Sequence, residues 1–245
     1  TNEDFSELCR QAHRRGMRVM LDGVFNHTGF VSRYFNGDGY YPEPGAVQSE
    51  SSPYRPWFQF RHWPDQYESW WGIYTLPAVE ESCPGYREFI FGDENSVVRR
   101  WLRAGADGWR LDVADELPDD FVAGIHAAAR AEKPSAVVIG EVWEDGSTKV
   151  AYGVRRKHIL GGHCDGLMNY PLRSAILSYL SSGVLPYIGP STAKKIVAKF
   201  GDDTLTVIAE TPQRLCELKG ITEQKAAIIS NEFRRMYGVR EVVAW

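Results

Sequence analysis

Two short apolar segments of this chain each lead into a carboxylate, a side chain suited to acid-base and nucleophilic chemistry. Residues 108–112 read Gly-Trp-Arg-Leu-Asp and residues 139–143 read Ile-Gly-Glu-Val-Trp, which places Glu141 29 residues after Asp112. The residues between them, 116–133, have the pattern of a helix, and the whole has the length of a strand-helix-strand crossover. We therefore expect Asp112 and Glu141 side by side at one edge of a parallel sheet, whose strands lie about 4.8 Å apart.

Two carboxyl groups about 5 Å apart are the arrangement of retaining glycosidases, in which one attacks the sugar and the other protonates the leaving oxygen. Paired acids at strand ends are also common as ordinary solvated loop residues. The spacing alone leaves both interpretations open.

The elements around the two carboxylates alternate between strands and helices. Residues 17–21 read as a buried strand that leads into Asp-Gly-Val-Phe-Asn-His at 22–27, a second polar cluster at a strand end. Residues 149–156 are predicted as a short helical stretch and 166–169 as a further strand. This alternation predicts an α/β fold with a parallel sheet, and active residues at the carboxyl ends of its strands.

Residues 28–93 show no helical or alternating period, although they hold 17 of the 31 aromatic residues and 7 of the 13 prolines. Such a long stretch inside a compact domain is usually a functional loop or a small inserted subdomain. Trp57, Trp63, Trp70 and Trp71 are suited to stacking on sugar rings or to forming the segment's own core. For any single tryptophan the core interpretation is favoured.

Composition narrows the class of protein. With 245 residues, 43% hydrophobic and 24% charged, the chain is expected to be soluble and globular, which excludes the disordered and membrane classes. Cys9, Cys83, Cys164 and Cys216 are far apart and form no metal-binding or disulfide pattern, which favours a reducing, cytoplasmic location. No apolar run reaches the roughly 18 residues of a membrane span.

Three motifs, residues 22–27, 108–112 and 141–143, follow one another in a fixed order. They resemble the first three signature regions of the α-amylase family, glycoside hydrolase family 13, and most closely its neopullulanase, cyclomaltodextrinase and maltogenic amylase branch. The resemblance covers residues 1–180. It implies a (β/α)₈ barrel in which these motifs end the third, fourth and fifth strands, with residues 28–93 as an inserted subdomain. It also implies an α-glucan oligosaccharide, such as a maltodextrin or cyclodextrin, as the substrate.

By the same resemblance, Asp112 matches the nucleophile, Glu141 the general acid/base and Arg110 the arginine that positions the nucleophile. The chemistry agrees, because Arg110 lies on the same strand face as Asp112 and would lower the pKa of that carboxyl. Glu141 has no cation in its own motif. Its apolar neighbour Trp143, taken as a substrate-binding residue, would favour the protonated acid.

The remaining matches lie in the first motif. His27 corresponds to a histidine that contacts the sugar at the cleavage site, while Asp22 and Asn26 correspond to positions that hold the loop by hydrogen bonds. The resemblance calls for no cofactor, and nothing in the sequence supports a calcium ion near Asn26 or any other metal site.

The chain departs from the family pattern in two respects. The family uses a third carboxylate, preceded by a histidine, from the seventh strand. Residues 163–165, His-Cys-Asp, are the only candidate after Glu141, and they lie before the sixth strand without an adjacent His-Asp pair. Only about four barrel strands can be identified. The sequence therefore predicts a partial barrel and an incomplete, inactive hydrolase.

A different pattern begins near residue 181. Residues 187–193 are echoed 33 residues later by 220–226, and each is a tight turn followed by a helix. The pattern resembles tandem helix-hairpin-helix motifs, and the whole segment resembles the corresponding region of a RecD-like DNA helicase. The positions that match contacts to the DNA backbone are Gly189, Lys194, Lys195, Gly220 and Lys225.

Each hairpin lacks one of the usual glycines, because Tyr187 replaces the first in one repeat and Thr222 the second in the other. Residues 181–245 carry 9 Lys+Arg against 7 Asp+Glu, so a DNA contact and a purely structural helical bundle both stay open. No phosphate-binding G-x-x-x-x-G-K motif is present, which excludes a helicase motor. We expect domains at 1–180 and 181–245 in a chimeric chain, with α-glucan hydrolysis as the leading function and DNA binding as the alternative.

Overall fold

The computed structural model describes residues 1–243, and their side chains as far as residue 236. It divides into two compact units, Thr1–Met168 and Asn169–Trp245. In the described part of the chain, no helix combines the length and the hydrophobicity that crossing a membrane requires. All four cysteines are free.

The first unit opens with helix α1, Asn2–His13, whose first turn is capped by reciprocal hydrogen bonds between Thr1 and Asp4. Strand β1, Met20–Gly23, follows three residues later than the sequence predicts. The reason lies at the helix end, where the Met17 amide donates to the carbonyl of Ala12 over 3.0 Å and keeps this part of the chain in the closing turn.

The aromatic-rich segment 28–93 folds into short elements around its own aromatic side chains. It contains strands β2, Phe60–His62, and β3, Gln66–Tyr67, which pair antiparallel, and the short helix α2, Pro84–Arg87. Phe35 is fully buried and its ring packs against those of Phe58 and Tyr67. Periodicity misses these elements because each is shorter than two turns of helix or four residues of strand.

Helix α3, Val97–Arg103, leads into strand β4, Gly108–Leu111, and helix α4, Asp119–Glu132, leads into strand β5, Val137–Gly140. The strands β1, β4 and β5 form a parallel sheet together with β8, Gly166–Leu167, in the order β1-β4-β5-β8. The prediction of an α/β fold with a parallel sheet is confirmed. The β4–β5 contact requires glycine at position 108, because a Cβ there would lie 2.1 Å from the carbonyl oxygen of Val137.

The prediction of a short helix at 149–156 is wrong. This stretch is an antiparallel hairpin of β6, Val150–Ala151, and β7, Val154–Arg155. Tyr152 and Gly153 both have positive φ, at 50° and 74°, which gives the two-residue turn that joins twisted strands. The tyrosine in the first turn position hides this signal from the sequence, because glycine, asparagine or aspartate is usual there.

The second unit is all-helical. It contains α5, Tyr170–Ser181; α6, Pro190–Phe200; α7, Thr204–Glu210; and α8, Glu223–Val243. Its own apolar core includes Leu180, Ile196, Ile208, Leu215 and Ile229, all fully buried. The unit begins at Asn169, ahead of the predicted domain boundary at 181.

Candidate active site

The candidate site lies where three neighbouring parallel strands end. In the sheet register Arg110 of β4 stands opposite Asp22 of β1 and Ile139 of β5. The backbone continues this ladder past the strand ends, since the Asp112 amide donates to Gly23 over 3.0 Å and the Glu141 amide donates to Leu111 over 2.9 Å. Asp112 and Glu141 are therefore brought to the same edge, as the sequence predicts for adjacent parallel strands.

The Arg110 guanidinium joins three carboxylates. Its Nη1 lies 2.7 Å from Asp22 Oδ1 and 2.6 Å from Asp112 Oδ1, while Nη2 lies 2.8 Å from Glu141 Oε2. Asp112 and Glu141 thus each contact one of the two terminal nitrogens of a single planar guanidinium group. The rigid geometry of that group fixes the separation and orientation of the two carboxylates. Asp22 takes part in this charge cluster, a contact beyond the loop-holding role expected of it.

The surroundings of Glu141 differ from those expected of it. The sequence suggests an acid without a cation and beside an apolar tryptophan, but Arg110 contacts the carboxylate and the Val113 amide donates to Oε2 over 3.2 Å. Trp143 is 54% exposed. Glu141 has no cation in its own motif, as the sequence indicates. The cation comes from the neighbouring strand, a contact across the sheet that one motif cannot show.

Val113 aims its amide at Glu141 through a strained backbone. Its φ of 42° and ψ of 53° are left-handed, a conformation that a β-branched residue rarely adopts. The next amide, of Ala114, donates to the Glu141 carbonyl over 2.9 Å. Strain of this kind persists only where surrounding contacts enforce it, and it occurs most often at functional sites.

Asn26 and His27 approach Asp112 from the loop after β1. The Asn26 side chain is buried and its Nδ2 donates to the carbonyl oxygen of Asp112 over 3.4 Å. The His27 ring lies 4.8 Å from the ring of Trp70, centroid to centroid. Burial lowers the pKa of His27, and the charges of Asp112 and Glu116 only partly offset this effect. His27 is therefore neutral at pH 7.

One of the four tryptophans considered for sugar stacking, Trp70, lies beside His27, and a second, Trp71, packs against it. Trp70 and Trp71 are stacked with their centroids 4.3 Å apart, and Trp71 also meets the edge of Trp143. Both indole nitrogens donate to the Glu116 carboxylate over 2.7 Å. Glu116 is thus a residue of the site that the sequence reading missed, and only its position four residues after Asp112 could have drawn attention to it.

The other two tryptophans serve the inserted segment. Trp57 is buried against Tyr34, Tyr86 and Phe89, and the Trp63 indole donates to the Ala46 carbonyl over 2.9 Å. The core interpretation therefore fits these two, whereas Trp71 is 58% exposed.

A cavity of about 540 Å³ lies beside the stacked tryptophans and is lined in part by Glu81, Glu116, Tyr152 and Arg156. Burial raises the pKa of Glu81 to about 7, and the neighbouring charges of Glu80 and Glu116 act in the same direction. This edge of the sheet therefore combines carboxyl groups held by a guanidinium, a further carboxyl group whose pKa is near 7 and exposed aromatic faces. That combination suits the binding and acid-base cleavage of a neutral, ring-shaped substrate such as a sugar.

Asp165, the candidate for a third catalytic carboxylate, lies at the opposite end of the sheet. Its carboxylate accepts from the amide of Val138, near the start of β5, over 2.8 Å, and it also pairs with His126 and Arg130. Glu141 follows the other end of the same strand, about 10 Å away at 3.3 Å per residue. Asp165 therefore ties β5 to α4 and cannot act with Asp112.

The predicted DNA-contact positions occupy two similar turns in the second unit. Tyr187 and Gly220 both have left-handed φ, 64° and 100°, and helices α6 and α8 begin shortly after them. The Lys225 ammonium donates to the Gly220 carbonyl over 3.0 Å and lies 5.7 Å from the Tyr187 ring centroid. Lys194 and Lys195 are exposed on the first turns of α6. DNA binding through Gly189 and these lysines stays a prediction.

Comparison with known proteins places this site in a family. The model of the alpha amylase catalytic domain matches residues 1–202. The amylopullulanase of Thermoanaerobacterium saccharolyticum is 36% identical over 198 residues, covering 74% of this chain and 15% of that protein. The cyclomaltodextrinase of Geobacillus thermopakistaniensis is 30% identical over 222 residues, covering 88% of this chain and 33% of that protein. The chain thus spans between about a seventh and a third of the length of these relatives.

Among solved structures, the cyclic α-maltosyl-(1→6)-maltose hydrolase of Arthrobacter globiformis, in complex with cyclic α-maltosyl-(1→6)-maltose, is 28% identical. It superposes with a TM-score of 0.61 over 75% of this chain and 38% of that one. The matched part of the chain is therefore an α/β fold like that of the α-amylase barrel enzymes, with a parallel sheet and helices.

The similarity does not stop at the predicted boundary near 181. The family model continues to residue 202, and a match over 88% of the chain must extend beyond residues 1–180. These findings give no support to a helicase-like segment or to a chimera. They confirm the resemblance to the neopullulanase and cyclomaltodextrinase branch, and this chain belongs to the α-amylase family.

Proposed function

We propose that this site hydrolyses α-glucosidic bonds in maltodextrin- or cyclodextrin-type α-glucans with retention of configuration, in place of the inactive hydrolase that the missing third carboxylate predicts. The observation that carries the proposal is the Arg110 guanidinium, which holds Asp112 on one terminal nitrogen and Glu141 on the other. Relatives that include an amylopullulanase and a cyclomaltodextrinase support the substrate class. Which α-glucosidic linkage the whole protein cleaves is part of the same proposal.

In the proposed reaction Asp112 attacks the anomeric carbon and Glu141 gives a proton to the leaving glycosidic oxygen. The resulting glycosyl-Asp112 ester is then attacked by water, from which Glu141 takes back a proton. Arg110 holds the Asp112 carboxylate in the position from which it would attack. Because His27 is neutral, it can donate a hydrogen bond to a sugar hydroxyl without adding charge to the site.

The stacked pair of Trp70 and Trp71, with Trp143 beside it, would contact the apolar faces of glucose rings on one side of the cleavage point. Glu116 fixes both indoles by accepting from their nitrogens. The platform is thereby oriented before the sugar arrives, which reduces the entropy lost on binding.

Two substitutions test the assignment. Asp112→Asn and Glu141→Gln should each lower the rate of reducing-sugar release from cyclomaltodextrin and maltodextrin by about 1,000-fold, because each removes a group that takes part in bond breaking. Glu144→Gln is the matched control: it lies in the same loop, is exposed and pairs with Lys149, and it should leave the rate unchanged. The first product resolved by NMR should be the α-anomer. Full activity in either carboxylate variant, or an initial β-anomer, would contradict the proposal.

A further inference from the structure

A second polar cluster in the first unit lies apart from the Arg110 site. Asp119, the first residue of α4, lies close to His158 and His163 of the loop before β8. One ligand atom from each residue lies within 4.8 Å of the other two, and His158 Nδ1 is 3.8 Å from Asp119 Oδ1. The three residues are 39 and 5 positions apart in the chain, so no spacing motif predicts them.

Four buried polar atoms of this cluster lack hydrogen-bond partners among the described residues. His158 is only 1% exposed, and neither of its ring nitrogens makes a hydrogen bond. The same holds for His163 Nδ1 and Asp119 Oδ1. A buried polar group without a partner is destabilising, and four such atoms in one place call for a common ligand.

We propose that Asp119, His158 and His163 form a binding site for a divalent transition-metal ion, with Zn²⁺ as the best match. Two imidazoles and a carboxylate are a donor set that zinc accepts, with bonds of about 2.0–2.2 Å and a water in the fourth tetrahedral position. Such bonds place ligand atoms about 3.4 Å apart, so the present separations of up to 4.8 Å would have to shorten when the ion binds. Calcium and magnesium fit poorly because both require mainly oxygen ligands.

The backbone holds the two histidines in one closed turn. The His158 carbonyl accepts from the amides of His163 and Cys164 over 3.1 and 2.8 Å, and Gly162 provides the left-handed residue within the turn. Bound zinc would join this turn to the start of α4.

One cation stands near the site. The Arg156 guanidinium is directed to the Asp115 carbonyl through Nε, and its Nη1 lies 4.0 Å from Asp119 Oδ1, beyond hydrogen-bond distance. Arg156 therefore repels an incoming cation by its charge, but it makes no hydrogen bond that would block Asp119 Oδ1 from binding the ion.

The test uses the full chain, stripped of metal with EDTA and titrated with Zn²⁺ against a chromophoric chelator. We expect one Zn²⁺ per chain and a rise in Tm of about 5 °C or more at saturation. His163→Gln and Asp119→Asn should each weaken binding by about 100-fold or more, since even the loss of an outer partner of a ligand costs 10- to 100-fold. Co²⁺ should give the intense visible absorption of a tetrahedral site in the wild type and lose it in both variants.

His62→Gln is the matched control, because His62 pairs with Asp65 on the exposed surface of the same unit. It should bind Zn²⁺ as the wild type does. The proposal fails if the wild type binds no stoichiometric Zn²⁺ below about 1 mM, if the ligand variants bind as tightly as the wild type, or if His62→Gln loses as much affinity. Should Asp119→Asn not fold, His163→Gln, whose side chain is partly exposed, carries the comparison.

Discussion

Arg110 shows how one side chain sets the electrostatics of the site. Burial alone would lower its pKa, but hydrogen bonds to Asp22 and Asp112 raise the pKa overall, so the guanidinium stays charged at every working pH. With Glu141 included, it faces three carboxylates. Their mutual repulsion is reduced only because they share its nitrogens, which makes Arg110 the residue on which the arrangement depends.

Glu81 gives a prediction at the residue scale. Its pKa of about 7 in the folded protein lies above the ordinary value of 4.5, so the folded state keeps this proton to higher pH than the unfolded state. Stability is then lost as the pH rises from about 4.5 to 7. Glu81→Gln should raise the free energy of unfolding by about 2 kcal/mol at pH 8 and by much less at pH 5.

The neighbouring Glu80 supplies the control for this measurement. Hydrogen bonds from Ser82 and Gln59 lower its pKa, although burial opposes them, so its ionised form stabilises the fold. Glu80→Gln should therefore destabilise the protein at pH 8. Urea denaturation of the three proteins at both pH values distinguishes the two signs. If Glu81→Gln raised the free energy of unfolding equally at both pH values, burial of the ionised carboxylate would not be the cause.

At the scale of elements, the position of Asp112 and Glu141 depends on close contact between β4 and β5. Gly108 lies opposite Val137 in the register, where a Cβ would collide with backbone. Gly108→Ala must part the two strands, which carry Asp112 and Glu141 at their ends. We expect it to destabilise the unit by about 3 kcal/mol or more, beyond the usual cost of overpacking a side chain.

Gly166→Ala is the comparison within the same sheet. Gly166 starts β8, has no positive φ, and a Cβ there would meet nothing within 4 Å. Its substitution should change the free energy of unfolding by no more than about 0.5 kcal/mol. Denaturation followed by tryptophan fluorescence measures both. Equal effects of the two substitutions would show that the β4–β5 contact does not limit stability.

At the scale of the whole molecule, each unit has a core of its own. The core of the second unit contains Ile229, which is 0% exposed, while its neighbour Ile228 on α8 is 37% exposed. Ile229→Ala should destabilise this unit by about 2–5 kcal/mol, through lost burial and the cavity left behind. Ile228→Ala makes the same chemical change at the surface and should cost less than about 1 kcal/mol. Circular dichroism during urea unfolding tests the pair; similar losses would contradict this core.

Much of the first unit follows from local sequence. Strands β4 and β5 and helix α4 are visible as apolar runs and a helical period, and the crossover rule for parallel strands brings Asp112 and Glu141 together without further information. The turn at Tyr152 and Gly153 could not be read in this way. Its left-handed tyrosine contradicts local preference, and surrounding contacts decided the conformation instead.

The sequence by itself determined that Asp112 and Glu141 lie side by side, that the strands that carry them are parallel, and that the chain belongs to the α-amylase family. Only the tertiary structure decided that Arg110 contacts Glu141, that Glu116 fixes Trp70 and Trp71, and that Asp119 meets His158 and His163. The physical reason is the separation along the chain between the residues in contact. Periodicity and motifs record contacts between near neighbours in the chain, whereas these contacts join residues that only strand register and loop closure bring together.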